Sequence, residues 1–312
     1  MKAIYFALVL MATSIALSAQ NTTPPQLQKA DSLYTAGNME AAYKLYSSYL
    51  KDNQALPITY ARMGFACYRI GQFDEAIQYL QQGLDKNPAA TSLPTFQARM
   101  AMAYGSKKDN AKALEWLEKA QLSGYFNLFE MDNEPGFANI RDEPKFQEIY
   151  KAVTLNAYPC MSDSMARAFD FWIGDWEVYA TGTSVRVGSN LIERFAGGCG
   201  ILENWTPYNS PFSGKSINYY ESTTGDWRQI WVGSGRTGAT YYEKGKYYDG
   251  ALRFTYKRTN PNGQEVTGNF IFYNLGPNRV RQYLEQSTDG GKTHTVVYDF
   301  TYLRKGSGEK PN

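Results

Sequence analysis

Residues 169–179 read FDFWIGDWEVY and decide the fold of the C-terminal half of this 312-residue chain. Two tryptophans, two phenylalanines and a tyrosine lie on either side of Gly174 and Asp175. So dense an aromatic stretch is either a binding site or the point at which a fold closes on itself. From Phe169 onward the sequence takes up a strand-like alternation. This favours the second interpretation, in which residues 169–179 form the first strand of a barrel.

The C-terminal half contains ten short segments in which apolar and polar residues alternate. Groups of turn-forming residues separate many of these segments, at 224–225, 249–250, 260–263, 276–278 and 289–291. Such residues accept the positive backbone angles of tight hairpin turns. A long antiparallel sheet closes on itself and so removes its unpaired edges. Residues 160–305 are therefore predicted to form an up-and-down antiparallel β-barrel of about ten strands, followed by a disordered tail over 306–312.

The Gly174-Asp175-Trp176 sequence resembles the G-x-W pattern of lipocalins and of related calycin-like barrels, such as the fatty-acid-binding-like and nitrobindin-like proteins. The resemblance implies that Gly174 permits a close turn and that Trp176, with Trp172, packs across one end of the barrel. More closely, the order of FDFWIGDWEV, IERFAGGCGILENW, SINYYESTTGDWRQIWV and STDGGKTH is similar to an uncharacterised bacterial domain family, often exported. That resemblance implies a fold and no particular reaction.

Residues 24–155 show a helical period instead. Thirty-four residues separate Ala42 from Ala76, and 37 separate Ala76 from Ala113. The unit that begins at Ile58 carries its small residues and turn markers at Tyr60, Gly64, Gly71, Ala76 and Pro88. This pattern resembles the tetratricopeptide repeat, a helix–turn–helix unit of about 34 residues. A partial helical pair after Ala120 is predicted to cap the array.

The chain opens with Lys2, an apolar run and then small residues, which is typical of a cleaved secretory signal over residues 1–19. No cysteine follows the run, so no lipoprotein anchor is predicted; a non-cleaved anchor is the alternative. The mature protein is expected to be periplasmic or secreted and to lack a membrane span. The formal net charge is +2, with both signs interspersed, so no nucleic-acid partner is predicted.

Three cysteines are present, and an exported protein can form disulfides. Cys160 and Cys199 flank the first strands of the predicted barrel, and we predict that they pair. Cys67 lies in a helical repeat and is predicted to be a small buried residue. No C-x-x-C spacing occurs, which favours a structural role over a redox role.

Candidate chemistry is sparse. His294 is the single histidine, and the resemblance to nitrobindin-like barrels implies haem binding through one late histidine; the alternative is a residue at the start of a strand. No metal site or cofactor is predicted, because no second histidine exists and the cysteines lack ligand spacing. A carboxylate pair such as Glu203 with Glu285 could act as general acid and base. No catalytic residue is assigned.

Alternation along the strands suggests a ligand pocket instead. The residues predicted to face it are Asn218, Gln229, Trp231, Arg281 and Glu203. The alternative is that the opposite faces, those of Ile217, Ile230 and Leu284, fill the interior. Alternation alone leaves both orientations open.

The leading hypothesis is an exported, non-enzymatic protein of two modules. The repeats dock a protein or peptide partner, and the barrel binds a small, partly apolar molecule or serves as a recognition surface. The repeats could instead be a packing platform for the barrel. One rival is an enzyme, a hydrolase or isomerase, that uses carboxylates and tyrosines in the barrel. The other rival is a barrel filled by its own side chains.

Overall fold

A computed structural model describes residues 23–235, 238–260 and 262–311. The signal peptide predicted over residues 1–19 lies outside the described residues and stays a prediction. The chain divides into two compact units. One comprises the residues up to Tyr125 together with Phe129–Ile149, and the other comprises Phe126–Leu128 and the chain from Tyr150 onward. Among the described residues, no helix has the length and apolar character needed to cross a membrane.

The N-terminal unit is built from helices that pack in consecutive pairs, as the repeat pattern predicts. The described helices are α1 (Pro25–Thr35), α2 (Met39–Asp52), α3 (Pro57–Arg69), α4 (Phe73–Asp85), α5 (Leu93–Ser106), α6 (Asn110–Leu122), α7 (Leu128–Asn133) and α8 (Pro144–Ala157). The first six form three pairs, α1 with α2, α3 with α4 and α5 with α6. Three stacked helical pairs confirm the predicted helical repeats.

Small residues let the helices of each pair approach closely. A Cβ atom on Gly64 would lie 2.6 Å from Leu80 Cγ and 3.1 Å from the Ala76 carbonyl oxygen. At the turn between α3 and α4, Gly71 has a φ of +81°, a value that favours glycine. Lys108 stands at the corresponding turn between α5 and α6 and adopts a φ of +63°. The third repeat therefore keeps the turn despite lacking its glycine.

The segment after the third pair covers the last repeat. Gly136 lies in a 3₁₀ turn, and a Cβ atom there would be 2.4 Å from the Met102 carbonyl oxygen of α5. The Gly136 amide also donates a hydrogen bond of 3.0 Å to the Tyr68 hydroxyl of α3. Pro144 begins α8, as its sequence position predicts. This close approach packs the segment against α5, and its role as a cap of the array stays a prediction.

The C-terminal unit contains a closed barrel of ten antiparallel strands. The strands are β1 (Gly174–Ala180), β2 (Arg186–Phe195), β3 (Gly200–Pro207), β4 (Gly214–Glu221), β5 (Asp226–Gly233), β6 (Thr240–Tyr248), β7 (Ala251–Thr259), β8 (Glu265–Asn274), β9 (Arg279–Ser287) and β10 (Thr295–Arg304). Each strand pairs with its neighbours in the sequence, and β1 pairs with β10 to close the barrel. The predicted fold class, helical repeats followed by an up-and-down barrel, is confirmed.

The opening stretch of the barrel differs from its prediction. Asp170–Trp172 forms a 3₁₀ turn, and the first strand begins only at Gly174. Gly174 has a φ of +149°, and a Cβ atom there would lie 2.1 Å from Nη1 of Arg304 on β10. A residue with a side chain fits neither this backbone angle nor this space. The chain therefore changes direction at Gly174, and the residues before it enter the end of the barrel rather than extend the strand.

Cys160 and Cys199 form the predicted disulfide, with their Cα atoms 5.0 Å apart. The bond joins the segment before the barrel to the β2–β3 connection. Such a bond indicates an oxidising compartment of the kind that exported proteins enter. Cys67 is a free, buried thiol in the helical unit, and burial raises its pKa to about 12.

The end of the chain also differs from its prediction. Residues 306–312 are expected to be disordered, but Glu309 accepts a hydrogen bond of 2.9 Å from Nε of Arg279 on β9. The Lys310 carbonyl accepts a second bond of 2.7 Å from Nη2 of the same guanidinium. The described part of the tail is therefore held against the barrel.

Candidate functional site

One end of the barrel is filled by an aromatic plug, made of Phe169, Trp172, Trp176, Trp227, Phe254 and Phe272. All six side chains are buried to at least 99%. The Phe169 and Trp172 rings stack with centroids 4.9 Å apart, and Phe272 lies 4.6 Å from Trp172. These are favourable offset and tilted ring geometries. This end of the barrel therefore has a solid interior.

Hydrogen bonds hold the plug to the strands that close the barrel. Nε1 of Trp176 donates a bond of 2.8 Å to the Trp172 carbonyl, so β1 fixes the preceding turn. The Arg304 guanidinium of β10 lies 4.4 Å from the centre of a Trp176 ring and donates to the Ile173 carbonyl at 3.1 Å. Trp172, Gly174 and Trp176 thus meet β10 at the seam where the barrel closes.

The other end of the barrel encloses a cavity of about 640 Å³. This volume lies within the range of small-molecule sites. The aromatic side chains in the wall are Trp205, Phe212, Trp231, Tyr242, Tyr256, Phe270, Tyr298, Phe300 and Tyr302. The Tyr298 and Phe300 rings of β10 stack at 4.7 Å and form one continuous face. The cavity therefore offers a largely apolar surface to a ligand.

Glycines on neighbouring strands keep the wall tryptophans flat and the cavity open. A Cβ atom on Gly188 would lie 2.5 Å from Cη2 of Trp205. A Cβ atom on Gly214 would lie 2.3 Å from Cζ2 of Trp231. Each indole covers a position where a side chain is missing, a packing that compensates for glycine in a strand. A larger residue at either glycine would push the indole into the cavity.

Between the plug and the cavity lies a layer of buried polar side chains that we call the polar belt. Its members are Asn190, Glu203, Ser216, Asn218, Gln229, Gln282 and Tyr302. They come from six strands, β2, β3, β4, β5, β9 and β10. Burial of so many polar groups requires that they bond to one another or to a ligand.

Glu203 is the ionisable carboxyl group of the polar belt. Its Oε1 accepts a hydrogen bond of 2.7 Å from Nδ2 of Asn190, and its Oε2 accepts one of 2.6 Å from the Ser216 hydroxyl. Burial raises the pKa of Glu203 to about 7, although these two bonds act in the opposite direction. Glu203 lines the cavity, so near neutral pH the cavity floor contains a carboxyl group close to its titration midpoint.

The remaining belt residues form a chain that leaves two amide groups facing the cavity. Nε2 of Gln229 donates to Asn218 Oδ1 at 2.7 Å, and the Tyr302 hydroxyl donates to Gln282 Oε1 at 2.9 Å. Within the described residues, Oε1 of Gln229 and Nε2 of Gln282 make no hydrogen bond, and both residues line the cavity. Among the described lining residues, one acceptor and one donor are therefore available in addition to the Glu203 carboxyl group.

The structure brings most of the predicted ligand residues to this site. Glu203, Gln229 and Trp231 line the cavity. Asn218 faces inward and is fully buried, but it lies behind Gln229 and does not line the cavity. The strands β4 and β5 therefore direct inward the faces that the prediction chose. Ligand binding by these residues stays a prediction.

The predicted inward position of Arg281 is wrong. It lies on the outer face of β9, where its guanidinium donates bonds of 2.8 and 2.6 Å to the two carboxylate oxygens of Asp299. Gln282 and Leu284, on the opposite face of the strand, line the cavity instead. Glu285 shares the outer face with Arg281 and bonds to Asn269 at 2.7 Å. The expected acid–base pair of Glu203 and Glu285 is therefore separated by the barrel wall.

Sequence reasoning missed Gln282, Tyr302 and Asn190 as parts of the site. The run Val280-Arg281-Gln282 and the residues after it carry polar groups on both faces of β9, so alternation does not identify the inner one. Tyr302 and Asn190 have hydroxyl and amide groups in otherwise apolar inner positions of β10 and β2. A polar residue on the inner face was the signal that could have identified these site residues. It can be used only once the strand register shows which face is the inner one.

His294 does not serve the cavity. It lies in the β9–β10 connection, is exposed, and is absent from the described residues that line the cavity. The residues of this barrel therefore do not fit haem bound in the cavity through His294. Among the described residues, no cluster of three or more histidine, cysteine or acidic side chains is arranged to hold a metal ion.

The helical unit has a separate candidate surface. We call it the first-helix face; it includes Tyr34 of α1, Arg62 and Phe65 of α3, and Arg99 of α5. Nη2 of Arg99 donates to the Tyr34 hydroxyl at 2.9 Å, and its guanidinium lies 4.5 Å from the centre of the Phe65 ring. A small cavity of about 200 Å³ adjoins Arg62 and Arg99. Aromatic and guanidinium groups of this kind suit peptide contacts.

The helix pair α3 and α4 is the part of the chain that known families identify. Residues 57–90 match the tetratricopeptide repeat family. Repeats of this architecture stack into extended binding surfaces, which indicates interaction with another protein. A comparison of the whole chain with curated proteins finds no match.

Proposed function

We propose that the protein is an exported, non-enzymatic binder of a small, partly apolar molecule, which occupies the cavity of a calycin-like barrel. The observation that carries this proposal is the combination of an open aromatic cavity of about 640 Å³ with a polar floor. A barrel that served only as a scaffold would need no such space, and cavities in protein interiors are costly. This volume argues against the rival of a barrel filled by its own side chains.

Export is the second part of the proposal. The signal-like sequence over residues 1–19 and the Cys160–Cys199 disulfide support a periplasmic or secreted location.

The third part concerns the repeats, whose first-helix face docks a protein or peptide partner. The match of residues 57–90 to a repeat family used for protein interaction supports this role.

Binding of N-phenyl-1-naphthylamine, a neutral dye that fluoresces in apolar sites, tests the cavity. Val297 lines the cavity, whereas its neighbour Val296 does not, and the two are similarly exposed, at 46% and 52%. We expect Val297→Trp to weaken dye binding about tenfold or more by filling the cavity, and Val296→Trp to leave binding unchanged. Fluorescence titration of the three proteins gives the comparison.

Equal dye binding by all three proteins, or no binding by the unsubstituted protein, would overturn the proposed cavity function. Native mass spectrometry of protein purified from its own host adds a check on the natural ligand. A mass increase that Val297→Trp removes and Val296→Trp retains would support a molecule bound in the cavity.

A second candidate function is an enzyme that transfers a proton inside the same cavity, as a hydrolase or isomerase. The favouring observation is the Glu203 carboxyl group, whose pKa burial raises to about 7, in the same hydrogen-bonded belt as Tyr302. A general acid or base works best with a pKa near the working pH. Turnover of ester or ketone substrates that is lost in Glu203→Gln and retained in Glu285→Gln would favour this candidate.

A further inference from the structure

We propose that the natural ligand of the cavity carries a protonated amine joined to an apolar or aromatic body, and that Glu203 binds the amine. This inference rests on the proposed small-molecule function and specifies the chemical class of the ligand. Its basis is the arrangement of charge inside the barrel.

The Glu203 carboxylate lacks a countercharge. Its two hydrogen-bond donors, Asn190 and Ser216, are neutral, and no ion pair joins it to a lysine, arginine or histidine of the described chain. A buried carboxylate is normally paired with a cation, because an isolated charge is costly to remove from water. A carboxylate also accepts about four hydrogen bonds, and the described residues supply two here. A ligand ammonium group provides both the missing charge and the missing donors.

The walls of the cavity suit the rest of such a ligand. Faces of aromatic rings attract cations and pack against apolar groups. Trp231, on β5, lines the cavity beside Gln229, and the stacked Tyr298 and Phe300 line it from β10. A ligand that places its ammonium group at Glu203 therefore leaves its body against these rings.

The cavity separates its two charged groups. Arg258 is the one basic side chain among the described lining residues, and it lies near the end of β7, where Nη2 donates to Gln286 at 3.4 Å. Leu252 and Phe254, at the start of the same strand, pack in the apolar core at the closed end. Arg258 is therefore at the mouth, and Glu203 is at the floor. An anionic ligand would be held at the mouth, whereas a cationic ligand is drawn to the floor.

The pH dependence of amine binding follows from the groups around Glu203. The neutral polar groups of the cavity floor are Asn190 of β2, Ser216 of β4, Gln229 of β5 and Gln282 of β9. Tyr298 and Tyr302 of β10 interact with Glu203, and Tyr242 of β6 and Tyr256 of β7 line the same cavity and interact with Tyr298. Burial raises the pKa of both Tyr298 and Tyr302, so they stay uncharged near neutral pH. Glu203 is then the group that titrates, and amine binding strengthens as the pH rises from about 5 to about 8.

The test displaces N-phenyl-1-naphthylamine with three indoles of the same size: tryptamine (cationic), tryptophol (neutral) and indole-3-acetate (anionic). We expect tryptamine to bind about tenfold or more tightly than tryptophol, since a charge-assisted bond to a buried carboxylate is strong. Glu203→Gln should remove this preference, so that tryptamine and tryptophol bind the variant about equally. Glu285→Gln, which removes the same charge from the outer face of the barrel, should retain it.

Glu203→Gln is close to isosteric, and Oδ1 of Asn190, buried and without a hydrogen-bond partner in the described residues, can accept from the new amide if the Asn190 amide rotates. A cooperative urea denaturation transition of this variant confirms that it is folded. Equal displacement by the three indoles, tighter binding of indole-3-acetate, or a tryptamine preference that survives Glu203→Gln would overturn the inference while leaving the small-molecule function intact. Failure of the dye and of all three indoles to bind would instead overturn the small-molecule function itself.

Discussion

The two ends of the barrel are built from similar residues and differ in what those residues leave between them. At the closed end, Phe169 and Trp172 enter the barrel from outside the sheet and fill it. At the mouth, Trp205 and Trp231 lie flat over strand glycines and leave a cavity of about 640 Å³. Aromatic content therefore does not by itself identify a binding site. The decisive feature is whether a segment outside the strands occupies the interior.

The difference between the two ends also means that one end contributes mainly to stability and the other mainly to ligand binding. The plug is close-packed, and removal of any ring from it leaves an empty space. The cavity end of the barrel lacks this close packing. The floor of its cavity contains a carboxyl group whose charged form is costly to bury. We therefore expect substitutions at the closed end to change the free energy of unfolding and substitutions at the mouth to change ligand binding.

The largest expected effect is that of Trp172→Ala. Loss of a fully buried indole should lower the free energy of unfolding by about 3–5 kcal/mol. Phe212→Ala is the matched change at the mouth, where the ring is 61% exposed, and it should lower that free energy by about 0.5 kcal/mol or less. Urea denaturation measures both. Similar losses for the two variants would remove the distinction between the ends.

Next in size is the loss of the Cys160–Cys199 disulfide, which fixes the segment before the barrel to the β2–β3 connection at the closed end. Its two cysteines are 39 residues apart, and a loop of this length corresponds to about 4 kcal/mol of stabilisation. We expect Cys160→Ser with Cys199→Ser to lower the free energy of unfolding by this amount. The folded double variant should bind N-phenyl-1-naphthylamine as the unsubstituted protein does. Weakened dye binding would show that the closed end also shapes the mouth.

The third prediction concerns pH and the floor of the cavity. Burial raises the pKa of Glu203 from an ordinary value of 4.5 to about 7, so the folded protein holds this proton more tightly than the unfolded chain. The associated stability is fully present below pH 4.5 and is lost as the pH rises to about 7. A shift of this size corresponds to about 3 kcal/mol.

Comparison of the unsubstituted protein with Glu203→Gln isolates this effect, because the variant has no proton to lose at this position. Urea denaturation between about pH 4.5 and 8 should show the difference in unfolding free energy changing by about 3 kcal/mol in favour of the variant as pH rises. Parallel curves would mean that Glu203 titrates in the folded protein as it does in the unfolded chain. The floor would then be wetter than its burial indicates.

The smallest effect is expected for Arg281→Ala on the outer wall. Its bidentate pair with Asp299 is partly exposed, and such pairs contribute about 1 kcal/mol or less. Dye binding should be unchanged, since the side chain does not line the cavity. If Arg281→Ala weakened dye binding about tenfold, Arg281 would have to contact the ligand, which would contradict the observed strand register.

Local signals predicted much of this fold because they depend on neighbouring residues alone. Alternation and turn-forming residues identified the ten strands, and small residues such as Gly64 and Ala76 identified the helical pairs. The Cys160–Cys199 pairing followed from the position of the two cysteines around the first strands. Each of these patterns has a direct backbone or packing cause within its own segment.

The failures came where distant residues decide the outcome. FDFW continues the strand-like pattern, but the chain turns at Gly174, where the Arg304 guanidinium packs against the glycine. This contact joins opposite ends of the barrel sequence. Both faces of β9 carry polar residues, so alternation does not show which face points into the barrel. That orientation depends on how β9 pairs with its neighbouring strands. A separate irregularity lies between Val296 and Tyr298, where one extra residue shifts the faces of β10. One-residue shifts of this kind exchange the inner and outer faces and leave no mark in the alternation.

The plug also constrains the order in which the protein can fold. Phe169 and Trp172 leave the ribosome before any strand of the barrel exists, yet their shelter is complete only when β10, the last strand synthesised, pairs with β1. Until then the nascent chain exposes large apolar rings together with an unpaired strand edge, the combination that promotes self-association. Pairing between the two ends of a domain is also slow, because a long loop must close first. The first segment of the barrel to be synthesised is therefore the one whose apolar rings stay exposed longest.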